Sequence, residues 1–168
     1  MRLLVLAVFL FSCTKALSQE PPQGWHSATL EALDALPIRD ASPTRFMEAV
    51  ADFDGDERLD RATIFVASDG RQEALFVTLS SVDPGAWQQV AELEHRNPSV
   101  VPIMGVTVSQ PGSYATACGK GYWECQPGEP ARLDLEHAGI SYFLFESAAS
   151  IFYWDQESEA FVRVWVSD

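Results

Sequence analysis

Short apolar and β-branched runs, each closed by a turn sequence, constrain the fold of this chain more than any other feature. Each run has the length of a single β-strand, and turns rich in Gly, Pro and Asp separate one run from the next. Strands of this length and spacing are typical of antiparallel sandwiches and barrels. The sequence therefore predicts a mainly β fold, an antiparallel sandwich or barrel-like sheet. The eight or nine candidate strands are 61–67, 73–79, 87–93, 100–108, 114–118, 131–136, 140–145, 150–154 and 161–166.

One short helix is predicted ahead of the strands. Ser27 is a suitable N-cap, apolar residues recur at helical spacing through residue 36, and Pro37 ends the pattern. Before the helix, residues 1–18 are predicted to be a signal peptide and residues 19–26 a flexible lead-in. Neither an internal repeat nor a linker divides the remainder. Residues 27–168 are therefore predicted to form a single β-rich domain.

The first residues have the organisation of a bacterial export signal. Arg2 precedes the apolar segment 3–11, and residues 16–18 offer a small-x-small cleavage site. The apolar segment is too short to span a bilayer, so no transmembrane segment is expected. An alternative is a lipoprotein signal at residues 10–13, which would leave a lipid anchor on Cys13. The main expectation is cleavage after Ser18 and a periplasmic or secreted protein.

The charge balance limits the possible partners. The chain has 24 acidic and 11 basic residues, a formal net charge of −13. Nucleic acids and anionic membrane surfaces bind cationic patches, so the composition predicts that neither is a partner. The excess of acid favours solubility and divalent cations, although a solvated acidic surface also accounts for it.

The most chemically specific segment is residues 52–60, in which four aspartates follow a regular spacing. Carboxylates this close together repel one another unless a cation neutralises them. Oxygen ligands at alternate positions suit a hard cation such as Ca²⁺. The predicted ligands are the side chains of Asp52, Asp54, Asp56 and Asp60 and the backbone carbonyl of Arg58. An Asp-rich turn that binds no ion is the alternative.

This segment resembles the calcium loops of FG-GAP and VCBS-type repeats, in which an Asp-x-Asp-x-Asp-Gly-x-x-Asp pattern joins two β-strands. The resemblance covers about fifteen residues in a single copy, and it implies a structural Ca²⁺ ion held by the ligands named above. Glu57 stands where those repeats usually have Gly, at a position that often needs a positive φ. An EF-hand is less compatible, because the twelfth position is Thr63 and not Glu.

Two cysteines, Cys118 and Cys125, remain outside the predicted signal. In an exported protein a close pair is more often a disulfide than a metal site. The loop between them contains aromatic residues, and rigid aromatics on a constrained loop are common at recognition sites. Lys120, Tyr122 and Trp123 are therefore candidate recognition residues. The alternative is that the loop is structural and its aromatics cap the sheet.

The strands near the C-terminus have apolar or aromatic residues on both faces. Residues 140–145 and 151–154 are predicted to meet the core on one face and a helix or loop on the other. An exposed aromatic patch for a partner is the alternative. The hairpin of residues 150–166 is predicted to belong to the core, with four buried aromatic residues: Phe152, Trp154, Phe161 and Trp165.

Catalytic motifs are missing from the sequence. His26, His95 and His137 are scattered, and we find no Gly-x-Ser-x-Gly elbow, His-Glu-x-x-His helix or phosphate-binding glycine loop. The predicted function is that of an exported, non-enzymatic binding protein for an unknown protein or glycan partner. One alternative is an inhibitor or immunity-type protein that acts on a secreted enzyme. Another is a small secreted hydrolase built from scattered acids and a histidine.

Overall fold

The computed structural model describes residues 19–82, 85–96 and 102–168. The predicted signal peptide and the alternative lipid site at Cys13 lie outside these residues. The described ranges contain eleven strands and one short α-helix, so the predicted mainly β class is confirmed. In the same ranges, no helix is long and apolar enough to cross a membrane.

The helical segment is shorter than predicted. Helix α1 is Leu30–Asp34, and its N-cap is Thr29 rather than Ser27. The Thr29 hydroxyl accepts a hydrogen bond from the Ala32 amide at 3.2 Å. Pro37 does not simply end the helical region, because it begins a 3-10 helix, Pro37–Ala41. Proline suits the first helical position, where its missing amide hydrogen has no helical partner.

The larger sheet has five antiparallel strands in the order β1-β3-β4-β5, with β2 also paired to β3. β3 and β4 form the predicted hairpin, with Ile64 opposite Leu75. β1 lies at the end of the segment predicted as a flexible lead-in, so the lead-in is ordered there. The strands are β1 Trp25–His26, β2 Glu48–Ala51, β3 Asp60–Ala67, β4 Gln72–Thr78 and β5 Gln88–Glu94.

The second sheet has four antiparallel strands in the order β11-β10-β9-β6. A separate hairpin of β7 and β8 completes the set of strands. The bounds are β6 Met104–Ser109, β7 Gly112–Ala115, β8 Arg132–Leu135, β9 Gly139–Leu144, β10 Ala149–Asp155 and β11 Ala160–Ser167.

The main core lies between the two sheets. Ile64 and Leu75 of the larger sheet pack in one cluster with Val106 and Ile140 of the smaller sheet, and each is at most 1% exposed. Side chains from two facing sheets thus fill a single apolar layer, as in other β-sandwiches. The predicted sandwich is confirmed.

Each sheet is also covered on part of its outer face. On the smaller sheet, Leu133 and Leu135 of β8 pack against Ile151 and Val164. On the larger sheet, Trp25 and Trp87 pack against Phe65 and Phe76. The predicted second contact face of residues 151–154 therefore exists, and a β-hairpin covers it where we expected a helix or a loop.

Trp165 is not in the core, and its predicted burial is wrong. Phe152 is buried in the main core, and Trp154 packs edge to face on Phe161 with ring centroids 5.2 Å apart. Trp165 is 36% exposed. The Arg163 guanidinium lies 3.9 Å from the centroid of the Trp165 ring. β11 is an edge strand with a neighbour on one side only, so a cation–π contact covers this ring instead of a second strand.

One end of the sandwich contains a fully buried polar cluster. Glu73 of β4 accepts hydrogen bonds from the amides of Ile103 and Met104, each at 2.9 Å. Arg39, from the 3-10 helix, donates to the carbonyls of Arg45, Pro102 and Met104 at 2.9–3.0 Å. Glu73 and Arg39 are both 0% exposed. The 3-10 helix thus places a cation at the end of an apolar core.

The electrostatics of this buried polar cluster are dominated by burial. Burial raises the pKa of Glu73 to about 7, although the two backbone amides and the charge of Arg39 act in the opposite direction. His95 Nε2 lies 3.5 Å from Glu73 Oε1. Burial also lowers the pKa of His95, which favours its neutral form.

Candidate metal centre and adjoining clefts

The Asp loop, residues 52–59, connects β2 to β3. The antiparallel pairing of these strands closes the loop, with Ala51 opposite Asp60. The loop therefore has the strand–loop–strand context predicted from the sequence. Asp52 organises its interior by accepting hydrogen bonds from three backbone amides, as turn-forming aspartates do. The donors are Gly55, Asp56 and Glu57, at 2.7, 3.1 and 2.9 Å.

Asp60 anchors the other end of the loop and is only 2% exposed. Its carboxylate accepts hydrogen bonds from the amides of Phe53 and Ser80, both at 2.8 Å. Burial raises the pKa of Asp60, and the nearby charge of Asp54 raises it further, against the effect of the hydrogen bonds. A cation beside this carboxylate would favour its charged form.

Asp54 ties the loop to two other segments. The hydroxyl of Ser81, just after β4, donates a hydrogen bond to the Asp54 carboxylate. The side-chain amide of Gln156 donates to the Asp54 backbone carbonyl at 2.6 Å. Gln156 lies in the turn between β10 and β11, 102 residues further along the chain. Contacts between such distant positions fix how the loop sits on the sandwich.

Three of the four predicted aspartates come together. One oxygen from each of Asp52, Asp54 and Asp60 lies within 4.8 Å of the others. Oxygens bound to one Ca²⁺ ion at about 2.4 Å are at most about 4.8 Å apart, so the spacing of this cluster fits the ion. In the part of the chain that the structure describes, these three carboxylates form no ion pair with Lys or Arg. Their charge is therefore without a basic partner there.

The fourth predicted aspartate, Asp56, has a partner of its own. The Arg58 guanidinium contacts the Asp56 carboxylate at 2.6–2.7 Å, and the Arg58 amide donates to it at 2.8 Å. Partial burial raises the pKa of Asp56, but the hydrogen bonds and charge of Arg58 outweigh this and lower it. The structure thus separates Asp56 from the cluster. The metal-binding role of the Arg58 carbonyl stays a prediction.

Two loop positions adopt a left-handed backbone. Gly55 has φ +81°, and a Cβ atom there would lie 2.6 Å from the imidazole ring of His137. Glycine therefore allows His137 to pack on the loop. Glu57 has φ +67°, which agrees with the positive φ expected at this position. A left-handed conformation costs a residue with a side chain about 1 kcal/mol or more.

Two clefts open beside the Asp loop and share Trp154 and Gln156 as a common wall. The larger, about 690 Å³, lies between the loop, the end of β4 and the β10–β11 turn. The smaller, about 250 Å³, lies between the loop and residues 134–138. Val77 and Leu79 give the larger cleft an apolar floor. Its volume is within the range of sites for small ligands.

The cysteine loop, residues 118–125, is closed by the predicted disulfide between Cys118 and Cys125. Lys120 Nζ donates a hydrogen bond to the Val166 carbonyl at 2.6 Å. The Trp123 indole donates to the Glu129 carboxylate at 3.0 Å. Tyr122 is 54% exposed. Two of the three candidate recognition residues therefore make contacts that hold the loop in place.

Sequence reasoning missed the residues that build the clefts. The sequence pattern places Trp154 in the core alone, whereas in the structure it also lines both clefts. His137 is isolated in the sequence, but in the fold it packs on the Asp loop. Gln156 carried no signal beyond its place in a turn. Trp154 and Gln156 reach the loop through the pairing of β10 with β11, and His137 reaches it from the connection between β8 and β9. A local pattern contains neither arrangement.

Comparisons with protein-family models, curated proteins and solved structures found no match to this chain. The likeness of the Asp loop to FG-GAP and VCBS-type loops therefore stays a prediction from the sequence.

Proposed function

We propose that this protein is an exported binding protein whose Asp loop holds a structural Ca²⁺ ion and whose ligand binds in the adjoining clefts. The observation that carries the proposal is the position of the loop. Asp54, Gly55 and Asp56 form part of the wall of the larger cleft. An ion that fixes the loop would therefore also fix one side of the binding site.

The donor set supports calcium. Ca²⁺ prefers carboxylate and carbonyl oxygens and tolerates irregular coordination, whereas Mg²⁺ demands near-octahedral geometry. Asp52, Asp54 and Asp60 supply three close carboxylates, two of them in residues buried in the fold. The ion would supply the positive charge that this cluster lacks. Asp52 Oδ2 and both oxygens of Asp60 accept one backbone amide each, so each would keep that hydrogen bond and still have a second lone pair for the ion.

The clefts support binding as the mode of action. An apolar floor, an aromatic wall at Trp154 and a polar rim are the usual composition of a ligand site. The cysteine loop is a weaker candidate for the main site, because Lys120 and Trp123 are engaged within the protein. The exposed Tyr122 favours a second candidate function, in which this loop contacts and inhibits a secreted enzyme.

Thermal unfolding of chelated protein, titrated with Ca²⁺, tests the calcium half of the proposal. The ion binds the folded state, so the melting temperature should rise with its concentration. The stabilisation should reach about 2.7 kcal/mol at one hundred times the dissociation constant. Asp54→Asn should lose most of this increase. Asp56→Asn should keep it, because Arg58 and not the cluster holds that carboxylate.

The control is Glu94→Gln, an exposed carboxylate on β5, which should respond to Ca²⁺ like the wild type. An unchanged wild-type melting temperature at millimolar Ca²⁺ would exclude the metal site. Equal losses in Asp54→Asn and Asp56→Asn would mean that all four aspartates act together, as the sequence pattern alone predicted.

A further inference from the structure

We infer that the two clefts beside the Asp loop together bind an extended peptide segment in which basic side chains alternate with apolar ones. The feature that points to this ligand is a continuous surface across Trp154 and Gln156 that combines carboxylates with apolar residues. The inference rests on the proposal that the clefts are the binding site. It adds the chemical class of the ligand.

The charge of the clefts selects a cation. Among the described residues that line them there is no Lys or Arg, and the sole histidine is His137. A surface of one sign attracts ligands of the other sign and raises their rate of association. Six carboxylates line the two clefts, and they are Asp54, Asp56, Asp134, Glu136, Asp155 and Glu159.

Most of the negative charge of the clefts would remain even when a Ca²⁺ ion is bound to the Asp loop. The ion would neutralise Asp54, and Arg58 already pairs with Asp56. The four other carboxylates form no ion pair with Lys or Arg in the described ranges 19–82, 85–96 and 102–168. Hydrogen bonds from Ser158 hold the pKa of Asp155 below its ordinary value, so this carboxylate is charged at neutral pH. Ligand and ion therefore do not depend on the same groups.

The donors and acceptors of the shared wall also favour a ligand that donates. The Gln156 amide nitrogen and the Ser81 hydroxyl each donate a hydrogen bond to Asp54. For a ligand, Ser81 then keeps only acceptor lone pairs, while Gln156 keeps one N–H and its carbonyl oxygen, so acceptors outnumber donors once the carboxylates are included. Lys and Arg side chains have only donors, so they match such a surface better than groups that also accept.

The shape of the site selects an extended chain. The clefts lie on the two sides of Trp154 and Gln156, so one compact ion or amine would occupy only one of them. In an extended peptide, alternate side chains point to opposite sides at about 3.3 Å per residue. Such a chain crosses the shared wall with one set of side chains on the carboxylates and the other on apolar surface.

The apolar part of the lining separates a peptide from a simple polyamine. Val77 and Leu79 of the larger cleft and Phe53 and Leu135 of the smaller one are buried, but Val82 in the larger cleft is 71% exposed and Trp87 beside it is partly exposed. A polyamine has no side chains to place on these residues. An arginine side chain also stacks on aromatic rings, and Trp154 offers one between the two clefts.

Isothermal titration calorimetry with two matched peptides tests the inference. The first probe is the capped hexapeptide Leu-Arg-Leu-Arg-Leu-Arg, and the second has Gln in place of each Arg. With Ca²⁺ present, the Arg peptide should bind and the Gln peptide should bind at least roughly tenfold more weakly, because its charge pairs are lost. Raising the salt concentration should weaken the Arg peptide, since the carboxylates are partly exposed.

A pair of double variants separates this site from the acidity of the whole chain. Glu136→Gln with Glu159→Gln should weaken the Arg peptide roughly fivefold, with an unchanged melting temperature, because both side chains are exposed. Glu31→Gln with Glu94→Gln removes the same charge away from the clefts and should leave the affinity unchanged. Equal losses in the two double variants would mean non-specific attraction and overturn the inference.

Three further outcomes would also overturn it. Equal binding of the Gln peptide would show that charge does not select the ligand. Spermidine that binds as tightly as the Arg peptide would assign the clefts to polyamines. Cellotriose that binds when the Arg peptide does not would keep the clefts as the binding site and replace the ligand class. If no probe binds, the inference fails, whereas the calcium titration above still decides the metal site independently.

Discussion

The two ends of the sandwich differ in what neutralises their carboxylates. At the closed end, Glu73 is buried with a basic side chain of the same protein, Arg39, nearby. At the open end, three aspartates of the Asp loop meet without a basic partner in the described part of the chain. Both ends lie along β4, with Glu73 near its start and Ser80 just after its end, about 24 Å apart at 3.4 Å per residue.

The difference shows how each end depends on its surroundings. Where a buried charge has its partner within the protein, the strength of that interaction changes only with pH or mutation. A carboxylate cluster without one responds to cations in solution. The closed end is therefore expected to set how stability varies with pH. The open end is expected to set how stability varies with calcium.

The largest effect should come from removing the internal cation, with Arg39→Leu. This change leaves three backbone carbonyls without their donor and removes the positive charge that acts on Glu73. A buried polar group left without its partner costs about 1–3 kcal/mol, so three such carbonyls and the loss of the positive charge near Glu73 should together cost about 3–5 kcal/mol. Urea denaturation at pH 8 should show a decrease in the free energy of unfolding of this size.

A double variant separates the effect of the lost positive charge on Glu73 from the other contacts that Arg39→Leu removes. Glu73→Gln in the Arg39→Leu background should recover part of the loss, because no buried charge is then left alone. A loss below about 1 kcal/mol in Arg39→Leu would contradict the assignment of Arg39 as the internal counter-charge. Calcium should stabilise the single variant as much as the wild type, since the Asp loop is at the other end.

The next largest effect is the contribution of Glu73 to the pH dependence of the free energy of unfolding. Its pKa is raised from 4.5 to about 7, so the folded protein holds this proton more tightly than the unfolded chain. The contribution is complete below pH 4.5 and is lost as the pH rises through 7. From pH 5 to pH 8, Glu73→Gln should therefore lose about 2–3 kcal/mol less unfolding free energy than the wild type.

Parallel urea titrations at pH 5, 6, 7 and 8 measure this difference. His95, Arg39 and Tyr142 face Glu73 and are present in both proteins, so the measured difference is the titration of Glu73 together with its coupling to these groups. Parallel pH profiles for the two proteins would show that Glu73 titrates normally. In that case the closed end would not be the pH-sensitive part of the molecule.

The sequence predicts those features of each end whose residues lie close together in the chain. The strand runs and the Asp spacing lie within a few residues of one another, so β3, β4 and the loop between β2 and β3 were found correctly. Glu73 stands between a polar turn and the apolar run 74–77, and its partners at 39 and 103–104 come from distant segments. Nothing near it in the sequence indicates them.

The open end shows the same limit within a single loop. Its aspartates were identified, yet the pairing of Asp56 with Arg58 was not, because ligand spacing does not show which way a side chain turns. The packing of His137 on Gly55 depends on two strands far apart in the chain. The burial predicted for Trp165 failed because alternation along a strand does not reveal that the strand lies at an edge.

The smallest effect concerns the loop backbone at Glu57. Its left-handed φ is maintained while its amide donates to Asp52 at 2.9 Å. Glu57→Gly keeps this amide and removes the steric cost of the side chain, offset in part by the greater freedom of glycine when unfolded. The free energy of unfolding should rise by about 0.5–1 kcal/mol. Gly55→Ala, at φ +81° and against His137, should lower it instead.

Measuring Glu57→Gly with and without Ca²⁺ sharpens the comparison between the two ends. Asp52 fixes the backbone at Glu57 by a hydrogen bond within the protein. We therefore expect the same gain in chelator and in Ca²⁺, because the strain belongs to the folded loop itself. A gain seen only in Ca²⁺ would mean that the loop adopts this conformation only around the ion. The open end would then be shaped by the cation, whereas the closed end is shaped by its own arginine.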